Sequence, residues 1–160
     1  MTKVYTGTFH LGATTPSYDM ETRVDRTYPT AHLSEAFLRE KTQLFLGEIT
    51  QKPPVFSAVK KDGKRLYEYA REGKEVDIPV RQVVINNFEL TRIALPEVDF
   101  TITCSKGTYI RSLAYDFGKA VDSGAYLSSL KRTKIGSYNV DNAISPDEFR
   151  RLFEEAGFKV

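Results

Sequence analysis

Alternation of apolar and polar residues marks several stretches of the chain, and each of these predicts a β-strand. The first is KVYTGTFHL, residues 3–11, which is rich in β-branched and aromatic residues. Two longer stretches, at residues 80–95 and 98–104, predict an antiparallel pair joined near Pro96. A short strand is predicted at IGSYNV, residues 135–140. The sheet is therefore expected to be largely antiparallel.

Helix signals occur between these strands. Ser34 is a natural N-cap for a helix that runs to Leu46, and Gly47 is suited to end it. Short helices are predicted at RLYEYARE, residues 65–72, and around AYLSSLKR, residues 125–132. The first of these follows KDGK, a tight-turn signal.

Two further helices have clearer signals. Helical spacing after Gly107 is shown by the apolar residues Ile110, Leu113, Ala114, Phe117 and Val121. Near the end of the chain, Ser145 as N-cap, Pro146 at the first position and Glu148 at the third form a capping box. The order of elements predicts an α+β fold, a mixed and largely antiparallel sheet with flanking helices.

Composition restricts the class of protein. The chain has 160 residues, 41% hydrophobic and 28% charged, as in a globular domain, and it has no apolar run long enough to span a membrane. Cys104 is the single cysteine, so no intrachain disulfide can form, and a reducing, cytoplasmic location is expected. His10 and His32 fall short of a metal cluster, and no metal site is predicted.

The distribution of charge is more informative than the net charge of +2. One cationic cluster comprises Lys52, Lys60, Lys61, Lys64 and Arg65, and a second, KRTK, spans residues 131–134. Clustered cations interleaved with aromatic residues suit a nucleic acid, because they supply contacts to phosphates and to bases. A solvated surface loop is the alternative interpretation of such a run by itself.

The segment CSKGTYIRSL, residues 104–113, contains a phenol and a guanidinium two positions apart. Tyr109 and Arg111 can reach one pocket only where the chain is still near-extended, since residues two apart lie on opposite sides of a helix. Gly107 and Thr108 make that transition plausible. Tyrosine can stack on a ring, and arginine can pair with a carboxylate or phosphate. A tyrosine at the core edge and a surface arginine are the alternative.

Four segments, in order and spacing, resemble the TruB-type tRNA pseudouridine synthases. They are KVYTGTFHLGATTPSYD, GEITQKPPVFSAVKKDGKRLYEYAREG, CSKGTYIRSLAYDFG and LSSLKRTKIGSY, which together extend over nearly the whole chain. The resemblance implies a pseudouridine synthase catalytic-domain fold. It also implies isomerisation of uridine 55 in the tRNA T-loop, without a metal or organic cofactor. The second segment fits the bacterial branch of the family.

The resemblance also implies roles for individual residues. Tyr5 matches the active-site tyrosine that stacks on the flipped uracil and is a candidate proton acceptor, and Tyr109 matches the second pocket tyrosine. Arg111 matches the arginine that pairs with the catalytic aspartate. Leu130 matches an apolar wall of the pocket, and Asp19 a carboxylate near the RNA-binding cleft. The residues alone leave alternatives: Tyr5 facing outward, Asp19 as a turn residue, and Leu130 in the core.

By the same resemblance, residues 47–80 match an insertion that closes on the T-loop. A cationic, proline-punctuated segment can supply phosphate contacts that position RNA without reading bases. Extruding a base costs a few kcal/mol, which stacking on a tyrosine roughly offsets. The predicted RNA-binding residues are Lys52, Lys60, Lys61, Lys64, Arg65, Lys106, Lys131 and Arg132.

The family's nucleophilic aspartate lies in a G-x-L-D-P-x-A-T-G segment, and no such segment occurs in the 160 residues. Residues 1–160 are therefore expected to be a partial catalytic domain that lacks its N-terminal portion and is inactive alone. The C-terminal RNA-binding extension of some members is not in the chain either. Arg111 is expected to lack its carboxylate, and uncovered sheet surface is expected to favour self-association.

Two other functions remain open at the level of sequence. The first is a non-catalytic tRNA-binding or RNA-binding module derived from such an enzyme. The second is an unrelated enzyme that uses Tyr109 and Arg111 on an anionic small molecule. The cationic residues of the 47–80 segment distinguish them, because they are needed only for RNA.

Overall fold

A computed structural model describes residues 2–54, 60–61, 64–65, 79–135 and 138–139. Its strands are β1 Lys3–Leu11, β2 Ala13–Thr14, β3 Arg26–Thr27, β4 Gly47–Gln51, β5 Lys60–Lys61, β6 Lys64–Arg65, β7 Arg81–Ala94, β8 Glu97–Cys104, β9 Ala125–Ile135 and β10 Tyr138–Asn139. Its helices are α1 Glu35–Thr42, continued by a 3₁₀ turn at Gln43–Phe45, and α2 Ile110–Ala120.

Six of the described strands form one sheet in the order β10-β9-β1-β8-β7-β4, and every neighbouring pair is antiparallel. Two short hairpins, β2-β3 and β5-β6, are separate from it. The predicted α+β class with a largely antiparallel sheet is confirmed. In the described part of the chain, no helix is both long and apolar enough to cross a membrane.

Helix α2 covers one face of the sheet, and aromatic rings fill the space between them. The ring of Phe9 on β1 lies 4.4 Å from that of Phe100 and 5.9 Å from that of Phe117 on α2. Phe88 on β7 completes the group, 5.4 Å from Phe117. All four are 4% exposed or less. Burying each ring contributes roughly 1.5–3 kcal/mol, so this cluster is a large part of what fixes α2 on the sheet.

Most sequence predictions of regular structure are confirmed. Strand β1 has the predicted bounds, β7 and β8 form the predicted antiparallel pair, and α2 follows Gly107. The Ser34 hydroxyl caps α1 by accepting a hydrogen bond from the backbone N–H of Phe37 at 3.1 Å. Gly47 follows with a positive φ of 88°, which favours glycine. The KDGK turn is consistent with pairing of Lys61 with Lys64.

The predicted helix at residues 125–132 is wrong, because this segment is the first part of β9. Its leucines, lysine and arginine have good helical propensity, but β9 pairs with β1 along nearly its whole length, and that tertiary pairing overrides a weak local preference. The alternation of strand is present only at its start, where Ala125 and Leu127 are buried. The strand predicted at 135–140 begins inside β9 and is described at β10. The helices predicted at residues 65–72 and from Ser145 lie outside the described residues.

Candidate active-site pocket

The predicted site residues lie toward one end of the sheet. Lys3 at the start of β1 is paired with Cys104 at the end of β8, so Tyr5 is near this end. Five residues beyond Cys104, Tyr109 leads into α2, whose first turn carries Arg111. The antiparallel register therefore brings distant sequence segments to one region.

Tyr5 is a buried residue of the core-facing side of β1, only 6% exposed, so the alternative of an outward aromatic is wrong. Its hydroxyl accepts a hydrogen bond from Nη2 of Arg132 at 2.7 Å. The guanidinium carbon of Arg132 also lies 5.0 Å from the centre of the Tyr5 ring. Burial raises the pKa of Tyr5, while the charge and hydrogen bond of Arg132 oppose that rise.

Tyr109 occupies the N-cap position of α2 with φ −96° and ψ 108°, which is extended backbone. The prediction that the chain is near-extended here, with the helix beginning afterwards, is confirmed. The half-buried ring of Tyr109 lines a surface pocket together with Pro53, Pro79, Val80 and Arg81. Arg81 packs over it, with its guanidinium carbon 5.9 Å from the ring centre. An aromatic ring in such a pocket is a platform on which a planar group can stack.

Gln51, at the end of β4, holds the backbone of Tyr109. Its side-chain oxygen accepts from the Tyr109 N–H at 2.9 Å, and its side-chain nitrogen donates to the Tyr109 carbonyl at 3.1 Å. Beside it, the hydroxyl of Ser112 donates to the Lys52 carbonyl at 2.6 Å. The Gln51 side chain is 1% exposed. The start of the 47–80 segment is thus hydrogen-bonded directly to the start of α2.

Arg111 forms an ion pair with Asp19, with 3.5 Å between Nη1 and Oδ2, although the two are 92 positions apart. The other carboxylate oxygen of Asp19 accepts from the Ser17 hydroxyl at 2.6 Å and from the Glu21 N–H at 2.9 Å. The side chains of Arg111 and Asp19 are 24% and 17% exposed. The expectation that Arg111 lacks a carboxylate is therefore wrong, since Asp19 supplies one.

The loop that carries Asp19 has an unusual backbone. Tyr18 has φ 66°, a conformation that bulky residues rarely adopt. Its carbonyl accepts from the Leu127 N–H at 2.8 Å, and its ring meets that of Tyr115 on α2 at 4.2 Å. Contacts on two sides hold this strained residue, and with it the position of Asp19.

The remaining predicted residues have different exposures. Leu130 is 46% exposed opposite Gly7, so it is not a core residue, and an apolar pocket wall is still a prediction. The side chains of Lys52, Lys106 and Lys131 are exposed. Lys60, Lys61, Lys64 and Arg65 form the backbone of the β5-β6 hairpin. Arg132, predicted to bind RNA, is half-buried against Tyr5.

Sequence reasoning missed Gln51, Arg81 and Ser112 as neighbours of Tyr109. Gln51 lies inside one of the motif segments, but nothing in a single sequence distinguishes a buried amide from an exposed one. Arg81 also donates to the Gly107 carbonyl at 3.2 Å. Among the residues the structure describes, no group of three or more histidine, cysteine, aspartate or glutamate side chains is arranged to hold a metal ion.

Comparison with known proteins decides the family. Residues 1–110 match the model of the TruB family pseudouridylate synthase (N terminal domain). The chain belongs to this family. It is 62% identical to tRNA pseudouridine synthase B of Flavobacterium johnsoniae over 154 residues, which is 96% of this chain and 66% of that protein. It is 47% identical to the synthase of the same name from Phocaeicola vulgatus, with the same coverage. The TruB-family chain thus spans 66% of the length of these relatives.

Solved structures share the fold. A Cbf5-Nop10-Gar1 complex contains a chain that is 25% identical, with a TM-score of 0.63, and the match covers 99% of this chain and 39% of that one. A chain of an H/ACA RNP bound to a substrate RNA containing 2′-deoxyuridine gives 21% identity and a TM-score of 0.59, covering 99% and 37%. At that identity the likeness concerns the fold alone.

Proposed function

We propose that this chain carries the uridine pocket of a tRNA pseudouridine synthase that acts on uridine 55 of the T-loop. The observation that carries the proposal is the convergence of Tyr5, Tyr109 and Arg111 toward one end of the sheet. Relatives named tRNA pseudouridine synthase B match along 96% of the chain, which supports the same reaction.

The chemistry assigns a task to each of these side chains. The reaction breaks the bond from ribose C1′ to N1 of uracil and joins C1′ to C5 of the same base. The base must leave its stack to be reached, and aromatic stacking returns about 1–3 kcal/mol of the cost. Tyr5 and Tyr109 supply the aromatic surfaces. Arg111, held by Asp19, is a positively charged group beside the reacting carboxylate.

The nucleophilic aspartate of the proposed reaction lies outside the 160 residues, so we propose that this chain alone does not form pseudouridine. The test is release of tritium from C5-labelled uridine in a T-arm RNA. The 160-residue chain is expected to release none, whereas a longer protein that adds the G-x-L-D-P segment is expected to turn over. Release by the short chain beyond one equivalent would overturn the proposal of inactivity.

The RNA partner is proposed to be the T-arm of tRNA, held by the exposed cations around the pocket. Lys52, Lys106 and Lys131 are exposed, and the β5-β6 hairpin adds four cationic residues. Each phosphate that a cation neutralises steepens the dependence of log K on log salt by about 0.9 for a duplex. Affinity for a T-arm stem-loop should therefore fall steeply with salt, and Lys131→Gln should reduce the slope. A salt-independent affinity would count against an RNA partner.

A non-catalytic RNA-binding module is the second candidate. One observation favours it: Arg111 already has a carboxylate partner in Asp19, so its charge is balanced within this chain. The tritium assay on the longer protein separates the two functions, because a binding module releases no tritium at any length.

We also propose that the chain self-associates through the β4 edge of the sheet. Strand β4 is the last strand in the sheet order, and exposed apolar side chains lie beside it: Leu44 is 63%, Leu46 38% and Val84 38% exposed. Unpaired strand edges and apolar patches favour association. Sedimentation at increasing concentration should show a growing dimer fraction, which Val84→Lys reduces. A monomer at every concentration would contradict this.

A further inference from the structure

Arg132 lies directly opposite Tyr5 in the pairing of β9 with β1. The register runs regularly from Thr8 with Ser129 to Tyr5 with Arg132 and then shifts, because Val4 pairs with Lys134. One residue of β9 is therefore extra immediately after Arg132, which is a β-bulge. Bulges bend a strand and re-aim side chains, and this one occurs beside a predicted pocket residue.

Arg132 faces inward while its neighbour in the chain faces solvent. Lys131 is opposite Thr6 and is exposed, whereas Arg132 is half-buried on the same side of the sheet as Tyr5. The guanidinium meets the tyrosine in two ways, by the 2.7 Å hydrogen bond to the phenol oxygen and by its 5.0 Å approach to the ring. The same side chain thus holds both the oxygen and the ring of Tyr5.

We propose that Arg132 is a positioning residue for Tyr5, fixing its ring as a stacking surface and its phenol oxygen as a proton-exchanging group, rather than a phosphate contact. The inference rests on the proposed function, which makes Tyr5 a residue of the uridine pocket. Guanidinium is donor-only, so it occupies a lone pair of the phenol oxygen and leaves the phenol proton to be directed elsewhere. Arg132 thereby acts through Tyr5.

The charges around Tyr5 agree with this role. Arg132 on β9 and Cys104 on β8 face the phenol, and Lys3 and Lys106 lie next to Arg132 and Cys104. Burial raises the pKa of Tyr5 and, as the larger effect, resists ionisation, whereas Arg132 favours the phenolate. Burial likewise lowers the pKa of Lys3, with Arg132 contributing in the same direction. Removing the guanidinium should therefore make Tyr5 less acidic.

The test is titration of Tyr5 in the 160-residue chain labelled with 3-fluorotyrosine, whose phenol is more acidic than that of tyrosine, followed by ¹⁹F NMR. The Tyr5 resonance is assigned from its loss in Tyr5→Phe. Arg132→Gln and the conservative Arg132→Lys are compared with wild type. Lys131→Gln, the exposed neighbour on the same strand, is the matched control.

The proposal predicts a higher titration midpoint for Tyr5 in Arg132→Gln, an intermediate midpoint in Arg132→Lys and an unchanged one in Lys131→Gln. An unchanged midpoint in Arg132→Lys or in folded Arg132→Gln would overturn it. If Arg132→Gln does not fold, as dispersion in the same spectra reveals, Arg132→Lys decides the question alone.

A second arm separates this inference from the proposed function. In T-arm binding, Arg132→Lys should keep the wild-type salt slope because the charge has no phosphate partner, and Lys131→Gln should lose about 0.9 per phosphate contact. Arg132→Gln should also keep the wild-type slope, and a loss equal to that of Lys131→Gln would contradict the proposal. Complete absence of RNA binding would sink the proposed function, while the Tyr5 titration would still decide the role of Arg132.

Discussion

The ion pair between Asp19 and Arg111 joins the β2-β3 loop to α2 and is mostly buried. In Asp19→Asn the pair loses its charge, and the Arg111 guanidinium stays partly desolvated. We expect the free energy of unfolding to fall by about 1–3 kcal/mol, as for a hydrogen bond to a charged group. Urea unfolding measures this. Asp122→Asn is the control, since Asp122 is exposed and has a positive φ of 55°, which asparagine accepts. An equal loss in both variants would contradict the account.

Asp116 on α2 provides a prediction that depends on pH. Burial is the main cause of its raised pKa, and the charges of Lys119 and Lys52 oppose that rise. Because the folded pKa is above the unfolded one, ionisation destabilises the fold, so stability falls as pH rises through the folded value. Asp116→Asn mimics the protonated form. It should raise the Tm at pH 7 relative to wild type and leave it unchanged near pH 3, as calorimetry can show. A higher Tm at pH 3 but not at pH 7 would reverse the sign.

At this scale, sequence supplied the identity of most pocket residues and little of their pairing. Tyr5, Tyr109 and Arg111 came from motif segments. The partner of Arg111 is 92 positions away and that of Tyr5 is 127 positions away. Such contacts are set by strand register and loop conformation, which no local pattern determines. The prediction that Arg111 lacks a carboxylate failed for that reason.

The packing of α2 against β9 depends on Gly118. A Cβ built at this position would meet the backbone nitrogen of Ala125 and lie 2.6 Å from the carbonyl carbon of Gly124. Glycine to alanine within a helix is ordinarily stabilising by about 1 kcal/mol. Here we expect the opposite sign for Gly118→Ala, a loss of about 1–3 kcal/mol from overpacking. Urea unfolding measures it, with the exposed Glu40→Ala as control. A stabilised Gly118→Ala would show that α2 and β9 separate more easily than the contacts indicate.

The buried amide of Gln51 links β4 to α2. Gln51→Leu keeps a similar volume but leaves the backbone N–H and carbonyl of Tyr109 without this partner. We expect about 2 kcal/mol of destabilisation and faster hydrogen exchange at the Tyr109 amide. Native-state exchange by NMR detects both. Gln82→Leu, exposed on β7, should change neither, and unaltered exchange at Tyr109 in Gln51→Leu would refute the link.

Elements with strong local signals were predictable, whereas the identity of β9 was not. Helix α2 has five apolar residues at helical spacing, and β1 has a clear strand composition. Strand β9 is composed of residues that favour helices, and it is a strand because it completes the pairing of β1. Local propensity is a weak guide where an unpaired neighbouring strand decides the outcome.

At the scale of the whole molecule, the class of fold followed from the sequence, and the strand order did not. Alternating segments implied a largely antiparallel sheet, but the order β10-β9-β1-β8-β7-β4 places the first and ninth strands side by side. That arrangement brings Arg132 to Tyr5 and aligns the end of β8 with the start of β1. The pocket is therefore a product of topology more than of any one motif.

The central claim is that this chain receives a flipped uridine of the T-arm between aromatic side chains. The most direct test compares binding of a T-arm stem-loop with its uridine 55 to binding of the same RNA with an abasic ribose there. Wild type should prefer the uridine, and Tyr109→Ala should lose about fivefold or more of that preference, since stacking contributes about 1–3 kcal/mol. Lys131→Gln should weaken both RNAs equally. Equal affinity of wild type for the two RNAs would contradict the account.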